Sequence, residues 1–166
     1  MSDRACGDCT LCCKVMAIET LDKPAGDWCF HCEPGKRCRI YDDRPSECRA
    51  FNCLWLLDPR LGTHWRPSIS GLVLTTSEDG IEIRCDPDRP DAWRRTPYRD
   101  EIEKLAMSGE LHDVTVLVIT GADMTLVTPG REFHLGVVGE DERIVRELEG
   151  TRVVGATVVK ASEIGD

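Results

Sequence analysis

Nine of the chain's ten cysteines fall within its first 53 residues: Cys6, Cys9, Cys12, Cys13, Cys29, Cys32, Cys38, Cys48 and Cys53. Such a density can be organised in two ways, by sulfurs bonded to one another or by sulfurs gathered on metal ions. The segments around them (CGDCTLCCK, KPAGDW, CEPGKRC, DDRP) are rich in Gly, Pro and turn residues and carry little hydrophobic periodicity. A region of that composition buries too little apolar surface to hold itself and needs staples. The opening MSDRACGDCT shows no apolar run between a basic start and a small-residue cleavage site, so no signal peptide is expected and the cytoplasm is the expected location. Reducing conditions there favour metal ligation over a disulfide scaffold, and the vicinal Cys12-Cys13 makes clean pairing of nine thiols awkward.

The spacing carries chemistry. In Cys6-x2-Cys9-x2-Cys12-Cys13, two intervening residues let a tight turn bring two sulfurs onto one tetrahedral ion. Three such cysteines in series also suit the loop that grips the irons of a cubic iron–sulfur cluster, with a fourth ligand from elsewhere. Cys29-x2-Cys32 repeats the zinc-type pair, and Cys38, Cys48 and Cys53 supply distant ligands. Nine thiolates exceed one four-ligand site and nearly fill two, so one or two sites of zinc or iron, including a 4Fe-4S cluster, are open. Clustered thiolates repel; Lys14, Lys36, Arg37, Arg39, Arg44 and Arg49 are interleaved among them and are candidates for hydrogen bonds to sulfur. Arg44 and Arg49 have two readings, hydrogen bonding to thiolates or to nearby carbonyls, and plain solvation.

CGDCTLCC, followed by Cys38-Arg-Ile-Tyr41, Arg44-Pro45, Cys48-Arg49 and Phe51, resembles the bacterial CxxCxxCC (YkgJ-like) zinc- or iron-chelating domain family. The resemblance covers residues 6–57, a third of the chain. It implies a metal-chelating role for Cys6, Cys9, Cys12, Cys13, Cys38 and Cys48, while Cys29, Cys32 and Cys53 fit the family's cysteine-richer branch. The family includes longer proteins described as flagellin lysine methylases, which leaves an iron–sulfur redox or catalytic protein as the alternative to a structural or metal-handling one.

A Cys-rich module over 1–60 and a small α+β region over 61–166 are the expected domains. One helix is predicted from Pro45 through SECRAFNCLWLL until Asp58-Pro59 stops it. Cys48 and Cys53 would then point about 140° apart, so either that helix distorts or the two serve different metals. LGTHWRPSIS reads as a linker. Beyond it, GLVLTTS and IEIRC flank the Glu78-Asp79-Gly80 turn, YRDEIEKLAMSG is a helix, and DVTVLVIT, MTLVTP and REFHLG are strands. DERIVRELEG reads as a short helix and TRVVGATVVKA as a last strand. The fold class is therefore α+β: a metal-stapled module on a mostly antiparallel sheet with about two helices.

Charge narrows the partners. Residues 1–60 are nearly neutral at −1, and 61–166 carry −8 of the net −9. Such a surface repels phosphate backbones, so no nucleic-acid partner is expected. No stretch approaches the roughly 20 apolar residues of a membrane span. Metal ions remain the expected ligands, and any protein partner is unspecified. Cys85 reads as a small buried hydrophobe. His31 sits between two ligand cysteines with its ring expected to point away, and His64, His112 and His134 have no ligand spacing. Trp28, Tyr41, Phe51 and Trp55 are the expected core of the module, and Trp65, Trp93 and Tyr98 its cover against the sheet. No nucleophile–base order, phosphate loop or HExxH motif is present, so the enzyme question stays open and leans to no.

Overall fold

The structure, a computed structural model, describes residues 4–78, 80–112 and 114–164, without the side chains of residues 110–112. Asp79, at the centre of the expected turn, and the side chain of His112 lie outside the described residues.

The Cys-rich segment opens with a helical turn, α1 (Cys12–Val15), and a minimal hairpin of β1 (Cys32–Glu33) and β2 (Arg37–Cys38). Two short helices follow, α2 (Ser46–Ala50) and α3 (Leu54–Leu57). The helix predicted across this stretch is therefore broken: the last bond of α2 runs from Phe51 N to Glu47 O, and Phe51 and Cys53 are extended. The break resolves the angular conflict between Cys48 and Cys53. Burial of Cys53 and Trp55 against the sheet outweighs the modest gain from continuing a helix through Asn52.

The stretch read as a linker carries a 3-10 turn (Thr63–Trp65) and α4 (Pro67–Ser70), where proline starts the helix and Gly71, at φ 76°, ends it. A five-stranded sheet then forms in the order β3 (Leu72–Thr76), β4 (Gly80–Cys85), β5 (Thr115–Thr120), β6 (Asp123–Thr128) and β7 (Arg131–Val137). Every pairing is antiparallel except β4 with β5, which α5 (Tyr98–His112) connects as a crossover. Ile102 and Ala106 turn the apolar stripe of α5 onto the sheet, where both are buried. Gly80 is obligatory at the head of β4, because a Cβ there would stand 2.1 Å from the Thr115 carbonyl oxygen.

The segment DERIVRELEG is not the expected helix. It is strand β8 (Glu142–Glu149), paired antiparallel with β9 (Arg152–Lys160) in a separate two-stranded sheet. Ile144, Val145 and Leu148 fit helical spacing, yet Ile144, Arg146 and Leu148 also alternate. A β-branched partner strand in register, with Ile144 opposite Val158, decides between the two periods. Among the described residues, then, five α-helices occur and only α5 is longer than five residues.

The larger of two buried clusters joins the Cys-rich segment to the five-stranded sheet: Leu11, Val15, Cys53 and Trp55 pack in it with Leu72, Val73, Ile83 and Ile102. Trp65 and Trp93 belong to it outright, as expected for residues at that seam, and Tyr98 lies partly buried against it. Of the aromatics expected inside the N-terminal segment, Trp55 is buried and Phe51 partly so, but Trp28 and Tyr41 are exposed. Tyr41 is covered instead by the Arg44 guanidinium, 3.6 Å above its ring. No helix among the described residues is long and apolar enough to cross a membrane.

Candidate metal centre

The backbone brings the cysteines together in three steps. Cys9 N donates to Cys6 O at 2.8 Å, a turn that Gly7 permits at φ 52°; α1 then starts directly at Cys12 and Cys13. The second group docks on α1 through its backbone: Cys29 N donates to Cys13 O at 3.0 Å, and Gly26 N to Lys14 O at 2.9 Å. A further Cys-x2-Cys turn (Cys32 N to Cys29 O, 2.9 Å) leads into the hairpin, in which Cys32 faces Cys38. The buried Thr10 fastens that hairpin by accepting from Gly35 N at 2.9 Å. Third, α2 and the residue before α3 deliver Cys48 and Cys53 to the same region.

The result is a cavity of about 260 Å³ lined by Cys6, Cys9, Cys12, Cys13, Cys29, Cys38 and Cys48. Met16, Ile18, Leu21, Ile40, Tyr41 and Phe51 give it an apolar lining, interrupted by Arg44 and Glu47. A second cavity of about 50 Å³ adjoins it, where Cys6, Cys9, Cys12, Cys48 and Cys53 meet Trp55, Pro67 and Val73. Cys32 lines neither cavity and reaches the cluster through Cys13. All nine sequence-designated cysteines thus converge, and none of the ten is in a disulfide. Cys85 is separate: it is fully buried in the core, and its thiol donates to Arg89 O at 3.3 Å.

Burial and neighbouring thiols raise the pKa of five of these cysteines, Cys6, Cys13, Cys32, Cys48 and Cys53. The Cys12 thiol, followed by burial, raises Cys13; burial, followed by the nearness of Cys13, pushes Cys32 up to about 12. Burial is also the first cause for Cys6, Cys48 and Cys53, reinforced by Cys9 at Cys6 and by Cys13 at Cys48. At Cys53 the Leu56 amide opposes burial.

A second cation beside these thiols is one that sequence reading passed over. Lys23 is buried, with its Nζ donating to Lys14 O at 2.6 Å and to Met16 O, and it faces Cys29 and Cys13. Burial lowers its pKa, and those sulfurs oppose that effect. Nothing in KPAGDW distinguishes it from a turn lysine. Lys14, by contrast, turns away from sulfur to an ion pair with Asp86 and Asp88. Arg44 Nε donates to Tyr41 O at 2.7 Å, the carbonyl contact that was one of its two expected roles, and Arg39 bonds Phe30 O. Arg49 is exposed. His31 packs against Phe30 with the rings tilted 43° and their centroids 4.0 Å apart.

Among the described residues, no three His, Cys, Asp or Glu side chains form a ready-made ligand set for a single ion. The thiols stand instead in mutual contact, Cys12 with Cys13 and Cys13 with Cys32. The donor chemistry nevertheless fits a soft ion such as zinc, or an iron–sulfur group. Loading requires the sulfurs to lose protons and close on the metal. Compared with protein-family models, with curated proteins and with solved structures, the chain finds no match.

Proposed function

We propose that this chain is a metal-binding protein of the cytoplasm that coordinates zinc or iron through clustered cysteine thiolates, in a structural or metal-handling role. The observation that carries the reading is the convergence of seven thiols on one cavity, delivered by three separate segments of the chain. Reduced thiols persist in that compartment. Cys6, Cys9, Cys12, Cys13, Cys29, Cys32, Cys38, Cys48 and Cys53 are the proposed ligands. Once bound, the metal adds folding free energy that this turn-rich segment lacks on its own.

The cavity's size favours a second reading within the same class, an iron–sulfur cluster. At about 260 Å³ it has room for roughly eight waters at ~30 Å³ each, more than a lone ion fills. A cluster there would supply electron transfer or Lewis acidity, with the sulfurs as its only necessary ligands.

Proton linkage tests the reading. Cys6, Cys13, Cys32, Cys48 and Cys53 have pKa values raised above 9.0, so at neutral pH an incoming ion displaces protons from these sulfurs. Anaerobic titration of the metal-free chain with zinc or ferrous ion is expected to release about two or more protons per ion, and affinity rises with pH from 6 to 8. The metal-free chain behaves in the opposite sense. A thiol whose pKa is raised by folding stabilises the fold below 9.0, and that contribution disappears as pH climbs through the folded value, about 12 at Cys32. Melting temperature of the metal-free chain should therefore fall above pH 9. Binding without proton release would overturn thiolate ligation.

A further inference from the structure

Trp55 is 9% exposed and belongs to the core that joins the Cys-rich segment to the sheet. Two cations hold its ring: the Arg4 guanidinium lies 4.8 Å from the ring centroid and that of Arg66 5.8 Å. Arg4 also fixes the backbone by donating to Trp55 O at 2.7 Å. Yet the indole Nε1 is buried with no acceptor among the described residues. A donor so placed is destabilising until a group arrives to accept from it. Trp65, by contrast, gives its Nε1 to Glu101.

The surroundings define that acceptor. Trp55 lines the smaller cavity with Cys6, Cys9, Cys12, Cys48 and Cys53, and the other walls are Arg44, Phe51, Leu56, Pro67 and Val73. Arginine only donates and the remaining side chains offer carbon, so sulfur is the sole side-chain acceptor lining that cavity. A protonated thiol accepts weakly. A metal-bound thiolate carries negative charge, and a bond to it is of the stronger, charge-assisted kind. The orphaned donor therefore matches ligated sulfur better than free thiol. Trp55 also stands two residues beyond Cys53 at the start of α3, so one helical turn carries both a ligand and the donor.

Resting on the metal-binding reading above, we propose that Trp55 is a positioning residue of the metal centre, its indole N–H donating to a metal-bound cysteine sulfur in the smaller cavity. The bond orients that sulfur and stabilises its charge. It also joins ligation to the packing of the sheet, because Trp55 shares its core with Leu72 and Val73.

Zinc is the probe, because it is diamagnetic and leaves resonances sharp. The full chain, reduced, metal-free and isotope-labelled, is followed by NMR as zinc is added, with the indole N–H signals assigned by through-bond correlation. The Trp55 signal is expected to move downfield on loading, while that of Trp65, already bonded to Glu101, stays in place. Trp55→Phe keeps an apolar ring without the donor, and its zinc affinity in chelator competition is expected to fall about tenfold or more. A Trp55 signal indifferent to bound zinc overturns the proposal, as does unchanged affinity in the variant. Should Trp55→Phe fail to fold, the wild-type signal decides alone. Wild-type chain that takes up no zinc and no ferrous ion overturns the metal-binding reading itself, which separates the two failures.

Discussion

Serine at Cys9 or at Cys12 is expected to lower bound metal and melting temperature together. Serine matches cysteine in shape, but its hydroxyl does not ionise near neutral pH and does not hold zinc or iron as a thiolate does. A ligand bound at about 1,000 times its dissociation constant stabilises the folded state by about 4 kcal/mol. For a chain of this length each kcal/mol is worth roughly 2–4 °C, so either variant should lose about 10 °C. Both positions are only partly buried, and both line the two cavities. The substitution therefore leaves little void, and its cost must come from the metal. Metal analysis beside a thermal melt checks this; unchanged metal content and melting temperature in both variants would contradict it.

Lys14→Met is expected to destabilise the chain by about 3 kcal/mol, because it removes one partner of a buried ion pair and strands the other. The Lys14 side chain is 4% exposed, and its ammonium lies 2.7 Å from Asp86 and 2.5 Å from Asp88. Asp86 is itself buried and receives further support from Arg89 at 3.6 Å and from the Asp88 amide at 3.1 Å. Burial opposes ionisation at both ends of the pair. Even so, the carboxylates hold Lys14 above its ordinary range, and Lys14 with the Asp88 amide holds Asp86 below its own. The stabilisation from Asp86 is thus present above pH 3.8 and fades as acid takes its folded pKa. That from Lys14 is present below 10.5 and fades as alkali does the same. Chemical denaturation at pH 7 measures the cost. Adding Asp86→Leu to Lys14→Met should recover part of it, as expected when a pair and not a lone side chain is at stake. Additive losses would show that Lys14 and Asp86 act independently.

This pair matters because of where it sits. Lys14 follows Cys13 directly, and Asp86 follows the last residue of β4, so the bond ties the vicinal cysteines to the sheet. Arg66 makes a second tie, bonding Asp8 and the carbonyl of Cys6. Arg4 makes a third by bonding the carbonyls of Trp55 and Leu61, each at 2.7 Å. The CxxCxxCC run is therefore held by the rest of the chain at three points, whereas Tyr41, across the larger cavity, is exposed.

Much of the fold was legible in the sequence because alternation and turn chemistry were unambiguous there. The strands of the five-stranded sheet and α5 follow the written pattern, and the α+β class with mostly antiparallel pairing is what the structure has. The misreadings share one cause, tertiary context overriding a local period. DERIVRELEG satisfies two periods, and only its partner, 152–160, selects the strand. SECRAFNCLWLL has helical propensity throughout, yet burial of Cys53 and Trp55 breaks it at Phe51. The cysteines cluster visibly in the sequence, but which of them meet in space is not written there, since Cys53 lies beside Cys9 and Cys6 across more than forty residues. Lys23 was illegible for the same reason, since its partners are carbonyls that only the folded α1 turn presents to it. Lys14 misled: its place beside Cys13 suggested sulfur, while its partners lie 72 and 74 residues away.

The most direct measurement is elemental analysis, with thiol-resolved mass spectrometry, of the chain isolated without air. Stoichiometric zinc or iron with its N-terminal sulfurs unpaired is the expected result, colourless for zinc and brown for an iron–sulfur group. Material devoid of transition metal, with those sulfurs joined in disulfides, would contradict the central claim.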